Sequence, residues 1–182
     1  MSTVGAALTT WEEFVQLEDE EENGTHLELH DGEVVVVPPP KPSHTYRQML
    51  LQCGFRTIAK GRGAAAAEFP YRPTPNLQFW RAAVAYLPNR DWKGMATEEY
   101  LVYSPPLIVE VLSPSNRRSK VERQRLAAFS GGTREFWVVD PKSRTVEVFV
   151  LGKPSRVYGV GEKIPVSVLP GAKFPVRELF RS

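Results

Sequence analysis

The chain has 182 residues, of which 42% are hydrophobic and 24% are charged, and its formal net charge at pH 7 is +2. This composition is typical of a soluble globular protein and excludes a collagenous or a wholly disordered chain. The single cysteine, Cys53, excludes an intramolecular disulfide and a zinc site built from several cysteines. No apolar run is long enough to span a membrane, and the first 33 residues contain no Lys or Arg with which a secretory signal could begin, so we expect a cytoplasmic protein.

The first predicted elements are a short helix and a β-hairpin. Thr10 followed by Glu13 forms a capping-box pattern, which predicts a helix from about Trp11. Polar and apolar residues alternate on both sides of Asp31-Gly32, which predicts a hairpin with a tight turn at this dipeptide. Four apolar residues are expected to share one face of the hairpin: Leu27, Leu29, Val34 and Val36.

A longer helix follows, which Ser43 is expected to cap and Gly61 to end. Its apolar stripe is predicted to consist of Tyr46, Met49, Leu50 and Cys53. The remaining predicted segments are strands at 64–69 and 77–87, a surface excursion at 88–104, a buried strand at 107–112, a helix at 115–129, a hairpin at 135–140 and 144–151, and closing segments at 164–169 and 174–180. Together they predict one α/β domain over residues 1–182, with an acidic helix and hairpin start at 1–33.

The charges are unevenly distributed between this acidic start and the rest of the chain. Residues 1–33 carry ten of the 21 acidic residues and none of the 23 Lys and Arg residues. The acidic segment either neutralises part of the basic remainder or leaves a positive face that binds a polyanion such as nucleic acid.

Glu110 is the most informative single residue, because it interrupts the apolar run Leu107–Leu112. A strand of this kind is covered on both faces, and burial of a lone carboxylate costs several kcal/mol. Glu110 is therefore expected to meet a cation, a hydrogen-bond donor or an opening to water. A metal-binding carboxylate and a structural salt bridge remain equally compatible with the pattern.

The predicted helix after Glu110 is rich in cations, with Glu122 its only acidic residue up to Arg125. Such a helix either binds phosphates or is simply solvated. The cations are Arg117, Arg118, Lys120, Arg123 and Arg125. A Lys or Arg close to Glu110 could also stabilise the charge that develops during phosphoryl transfer.

Three polar residues, His26, Glu28 and His30, alternate along the first predicted strand. They suit a divalent metal in type, but this face is expected to be a solvated one, with Glu28 alone as a possible outer ligand. The sequence contains no GxSxG, Walker A, GxGxxG or zinc-protease pattern, so the corresponding enzyme classes lack their usual support.

Six segments in a fixed order resemble the Uma-type family of putative restriction endonucleases, a bacterial branch of the PD-(D/E)xK nuclease superfamily. The segments are residues 10–14 (TWEEF), 27–33 (LELHDGE), 43–44 (SH), 106–115 (PLIVEVLSPS), 134–141 (REFWVVDP) and 169–171 (LPG). The resemblance implies a restriction-endonuclease-like mixed β-sheet flanked by helices, often dimeric. It also implies cleavage of nucleic acid, with DNA as the expected partner, and Mg²⁺ or Mn²⁺ as the cofactor.

In the chemistry that the resemblance implies, an Asp and a Glu hold the divalent ion and a lysine supports the reaction. Glu110 matches the family's Glu, whereas Ala83 stands where the family has its Asp. The family's helix carries an Asp and, one turn later, a Lys. Here those places fall at Lys120 and at Gln124 or Arg125.

Three hypotheses follow for the function. The first is a divergent nuclease with metal ligands Glu110, Glu28 and Glu68, in which Lys120 or Arg125 takes the lysine's role and activity is impaired because Ala83 replaces the Asp. The second is a non-catalytic module that binds nucleic acid or assembles with a partner on a nuclease-like fold. The third is a protein–protein adaptor whose acidic segment docks on a basic surface.

Overall fold

The computed structural model describes residues 8–19, 25–113 and 116–181. Its centre is an eight-stranded mixed sheet in the order β2-β1-β4-β5-β6-β7-β8, with β3 also paired to β4. Only β5 and β6 are parallel; the other pairs are antiparallel. The strands are β1 (His26–His30), β2 (Glu33–Val37), β3 (Gly63–Tyr71), β4 (Gln78–Pro88), β5 (Leu107–Val111), β6 (Glu135–Asp140), β7 (Thr145–Val150), β8 (Arg156–Gly159) and the separate pair β9 (Lys163–Pro165) and β10 (Lys173–Pro175).

Helices cover both faces of the sheet, as the predicted mixed sheet flanked by helices requires. They are α1 (Trp11–Asp19), α2 (Pro42–Ala59), α3 (Asn89–Gly94) and α4 (Arg118–Ser130), and a 3₁₀ helix follows at Val176–Phe180. In α2, Leu51 and Phe55 pack in one apolar cluster with alternate β5 residues such as Val109. In α4, Val121 packs in a second cluster with Ile108, the neighbour of Val109. Because side chains alternate along a strand, α2 and α4 lie on opposite faces of β5.

Several local predictions are confirmed. Thr10 and Glu13 exchange backbone and side-chain hydrogen bonds at the start of α1, which is the predicted capping box. Asp31 and Gly32, both with positive φ, form the turn between β1 and β2. Every residue of β5 is buried, in agreement with the continuous apolar run.

Other local predictions are wrong. Lys41, and not Ser43, is the N-cap of α2, because Pro42 occupies the first turn. The buried face of α2 is rotated relative to the predicted apolar stripe, since Tyr46 and Met49 are 42% and 45% exposed. Helix α4 begins at Arg118, three residues later than predicted, and the predicted start at Ser115 lies outside the described residues.

The predicted closing segments contain short elements. Residues 164–169 contain only the end of the three-residue strand β9, and 174–180 contains the end of β10 and the 3₁₀ helix. In the described residues, no helix is long and apolar enough to cross a membrane.

Candidate functional site

Two buried carboxylates, Glu28 on β1 and Glu110 on β5, bond the backbone of the same stretch of β4. The backbone N–H of Arg81 donates to Glu28 Oε1 over 3.1 Å. The backbone N–H of Ala83 donates to Glu110 Oε1 over 3.0 Å. Strand β1 pairs with β4 at residues 78–79, and β5 pairs with β4 at residues 84–86. Arg81 and Ala83 lie between these two regions, so the carboxylates bond a part of β4 that neither β1 nor β5 pairs with.

Glu28 is 1% exposed, which overturns the expectation that the polar face of β1 is solvated. Its Oε2 atom lies 3.0 Å from His30 Nε2 and 2.8 Å from Lys120 Nζ. His30 is also buried and stacks on Trp80 with the ring centroids 3.7 Å apart. Burial opposes the charge of Glu28, but the hydrogen bond with His30 and the ammonium of Lys120 outweigh it, so the pKa of Glu28 lies below its ordinary value.

Glu110 is 3% exposed and is held by neutral donors. Besides the Ala83 N–H, its Oε1 accepts a hydrogen bond from Gln124 Nε2 over 2.9 Å, and its Oε2 accepts one from Asn116 Nδ2 over 2.9 Å. Burial raises the pKa of Glu110 to about 7, and the Glu28 charge adds to this rise. The Ala83 N–H and the Lys120 charge oppose it. The carboxylate therefore meets hydrogen-bond donors, one of the outcomes that the sequence left open.

The first turns of α4 bring Lys120 and Gln124 to the two carboxylates. These residues are four positions apart, so they lie on the same face of the helix. Gln124 is buried, and its amide also donates to the carbonyl oxygen of Arg81 over 3.2 Å. Of the two alternatives for the family's lysine, the structure brings Gln124, and not Arg125, to Glu110.

Arg125 points elsewhere. Its Nε donates to Glu122 over 3.0 Å, and its guanidinium lies 4.4 Å from the centre of the Phe149 ring. Arg125 and Phe149 line a separate cavity between α4 and the sheet, and neither lines the cavity beside Glu28. The structure therefore does not bring Arg125 to the site.

Glu68 lies on β3 and contributes a third carboxylate to the site. Its φ is +50°, a conformation that costs a residue with a Cβ about 1 kcal/mol or more. Its carboxylate accepts a short hydrogen bond from Gln48 Nε2, and the same amide donates to the carbonyl oxygen of Ala83 over 3.1 Å. Gln48 thus holds both Glu68 and the β4 backbone from α2.

A cavity of about 140 Å³ opens beside these groups. Glu28, Glu68, Ala83, Asn116 and Lys120 line it, together with the segment that follows β2. A second cavity of about 570 Å³ shares Ser43, His44 and Ser113 with the first. The two cavities adjoin at these residues, beside the start of α2, and we call them together the depression.

The acidic start of the chain contributes to the wall of the site. Arg81 lines the first cavity, and its guanidinium forms a short ion pair with Glu18 of α1. Glu18 also accepts the backbone N–H of Leu27 over 2.9 Å. This contact neutralises one cation of the basic remainder, which is one of the two outcomes that the sequence left open. The acidic residues 20–22 lie outside the described residues.

Sequence reasoning missed Gln48 and Asn116 as members of the site. Both are neutral amides, and no titratable or metal-ligating pattern marks them. The signal that could have found Gln48 is its position in α2, one turn before the apolar Leu51 and two turns before Phe55. A polar residue on the apolar face of a helix needs a buried partner.

Comparisons with known proteins find a solved structure with a similar fold. The fold is similar to a solved structure described as a putative nuclease belonging to DUF820 from Anabaena variabilis, with a TM-score of 0.78 and 21% sequence identity. The similarity covers 94% of this chain and 97% of that one. A comparison with curated proteins finds no match.

The chain belongs to the Uma2 family, described as putative restriction endonuclease, because residues 11–177 match the family's sequence model. The resemblance predicted from the sequence is thereby confirmed, as is the mixed sheet flanked by helices. This family description supports a nuclease-like function.

The residues at the site do not fit the divalent ion that this family implies. A magnesium or manganese ion takes about six oxygen ligands. The described residues contain no group of three or more His, Cys, Asp and Glu that could hold a metal ion. All four oxygens of Glu28 and Glu110 instead contact N–H donors of the protein.

Proposed function

We propose that this chain is a nuclease-fold protein that binds nucleic acid and in which metal-dependent phosphodiester hydrolysis is impaired. One observation carries the proposal: the carboxylates expected to hold the metal are bonded by the protein's own donors. Ala83 supplies a backbone N–H where the family has an Asp, and Gln124 supplies an amide where it has a Lys. A backbone N–H cannot bind a cation, and a neutral amide has neither the positive charge nor the titratable proton of a lysine.

Impaired cleavage follows from the chemistry that these residues lack. In metal-dependent hydrolysis, the ion lowers the pKa of a bound water and neutralises charge on the transferring phosphate. Ala83 offers Glu110 no second carboxylate ligand, and Lys120 contacts Glu28, the carboxylate whose charge acts on Glu110. The expected result is a large loss of metal affinity and of rate.

The charge around the two cavities supports binding of a polyanion. Lys41, Arg47, Lys120 and Lys142 line the depression. In the part of the chain that the structure describes, no carboxylate forms an ion pair with Lys41, Arg47 or Lys142. Cations without an acidic partner are available to the phosphates of a nucleic-acid backbone.

Fluorescence anisotropy with labelled duplex and single-stranded DNA tests the binding. We expect affinity to fall steeply with salt, and the slope of log K against log salt to decrease by about one for Lys142→Ala or Arg47→Ala. The matched control is Lys163→Ala, since this exposed lysine of β9 lines neither cavity. Absent or salt-insensitive binding would refute the nucleic-acid part of the proposal.

A plasmid-nicking assay with excess Mg²⁺ or Mn²⁺ tests the catalytic part. We expect no nicking that depends on both the metal and Glu110. Nicking by the wild type that is lost in Glu110→Ala would show an active nuclease and overturn the proposed impairment. Nicking that is equal in both proteins would come from a contaminant and leaves the expected result in place.

A further inference from the structure

We propose that the Lys120 ammonium is a tethered cation that takes the position of a divalent ion between Glu28 and Glu110. This inference deepens the proposed function and depends on it for its meaning. In addition to the carboxylate that is missing at Ala83, the chain supplies a cation of its own at Lys120.

The geometry brings the ammonium into the site from α4. Lys120 Nζ lies 2.8 Å from Glu28 Oε2, which is ordinary for an ion pair with hydrogen bonding. The Lys120 side chain is 25% exposed, whereas Glu28 is 1% exposed. The charged end of the lysine therefore reaches a carboxylate that solvent does not, while part of the side chain remains at the wall of the cavity.

Electrostatics favour a cation at this place. Glu28 and Glu110 are both buried, and the charge of Glu28 makes ionisation of Glu110 less favourable. Lys120 acts on both, because its charge lowers the pKa of Glu28 and opposes the rise in the pKa of Glu110. One protein cation thus offsets charge on two carboxylates, which is the electrostatic task that a metal ion has in such a pair.

The chemistry of an ammonium differs from that of a metal in one decisive way. It has N–H donors but no coordination position at which a water could bind and lose a proton. It can still donate to a phosphate oxygen, as lysine does in many phosphate sites. Lys120 therefore favours binding of a phosphodiester without its hydrolysis, and it makes binding independent of added metal.

Titration calorimetry with Mn²⁺ on the protein alone tests the inference. We expect no Mn²⁺ site that involves Glu28 in the wild type. Lys120→Asp, which replaces the cation with a third carboxylate, should raise Mn²⁺ affinity at least about tenfold, and a further Glu28→Gln substitution should remove the gain. Lys163→Met is the matched control and should bind no more Mn²⁺ than the wild type.

Lys120→Met serves as the second variant, since it keeps most of the apolar stem and removes the charge. It should also bind Mn²⁺ more tightly than the wild type, though less tightly than Lys120→Asp. Circular dichroism establishes that each variant is folded. Folded variants that gain no Mn²⁺ affinity would overturn the inference, as would a wild-type Mn²⁺ site that Glu28→Gln removes.

The DNA-binding assay separates failure of this inference from failure of the proposed function. If the chain binds DNA, a chelator should leave the wild-type affinity unchanged, and a chelator-sensitive affinity would contradict the tethered cation. If the chain binds no DNA, the proposed function fails, while the calorimetry still decides whether Lys120 excludes the metal.

Discussion

Stability should depend on pH through Glu110, and Glu110→Gln should remove this dependence. The ordinary pKa of a Glu carboxyl is 4.5, and burial raises that of Glu110 to about 7 in the folded chain. Between these two values the folded state holds a proton that the unfolded state releases. The free energy of unfolding of the wild type should therefore fall as the pH rises from about 4.5 to about 7.

The magnitude follows from the size of the shift. One pKa unit corresponds to about 1.4 kcal/mol, so a rise from 4.5 to about 7 gives a loss of about 3 kcal/mol across this window. Glutamine is isosteric and does not titrate. Its amide oxygen can accept the Ala83 N–H, and its NH₂ group can face Asn116, whose buried Oδ1 has no hydrogen-bond partner among the described residues.

Urea unfolding followed by tryptophan fluorescence measures the effect, because Trp80 and Trp137 are buried. The informative quantity is the difference in unfolding free energy between Glu110→Gln and wild type, at about pH 4.5 and about pH 7.5. This difference removes the contribution of other titrating groups that the two proteins share. His44, whose pKa is lowered by burial, is one of them. Glu162→Gln is the control, since a backbone hydrogen bond from Gly159 lowers the pKa of Glu162 and its effect falls below this window.

We expect the free energy of unfolding of Glu110→Gln, relative to that of the wild type, to be higher by about 3 kcal/mol at the upper pH than at the lower pH. The same difference at both would refute the reasoning, because Glu110 would then titrate alike in the folded and unfolded chain. A difference that changes in the opposite direction would show that its charged form is stabilised by folding, and a cation would have to lie closer to it than Lys120 does.

Three further predictions concern the neighbours of the site. Gln48→Ala leaves the carbonyl oxygen of Ala83 without its donor and should lower the free energy of unfolding by about 1–3 kcal/mol in urea titrations. Arg125→Ala should leave DNA affinity within about twofold of wild type in the anisotropy assay and lower stability by about 1 kcal/mol, because its guanidinium packs on Phe149; a large loss of affinity would return Arg125 to the site. Ala83→Asp combined with Gln124→Lys should yield little Mn²⁺ binding in calorimetry unless Lys120 is also replaced, and full metal binding by the double variant would contradict the tethered cation.

The sequence predicted the part of the site that depends on strong patterns. Glu110 stands out because it is a carboxylate within an apolar strand, and its burial is as expected. The order of segments was specific enough to identify the family and the mixed sheet. Lys120 could be placed near Glu110 because helical spacing limits how far α4 can carry it.

The remaining parts of the site could not be predicted because they depend on tertiary packing. The polar face of β1 resembles a solvated one, and only the approach of β4 and α4 buries Glu28 and His30. The choice between Gln124 and Arg125 depends on the rotation of α4, which a one-residue uncertainty in the helix start leaves open. Gln48 is polar, so the sequence did not show that it belongs to the buried face of α2.

Crystals soaked in MnCl₂ and measured at the manganese absorption edge test the central claim most directly. The account predicts no anomalous peak between Glu28 and Glu110, with the Lys120 ammonium in hydrogen-bond contact with Glu28. A manganese peak coordinated by both carboxylates, with Lys120 displaced, would contradict it.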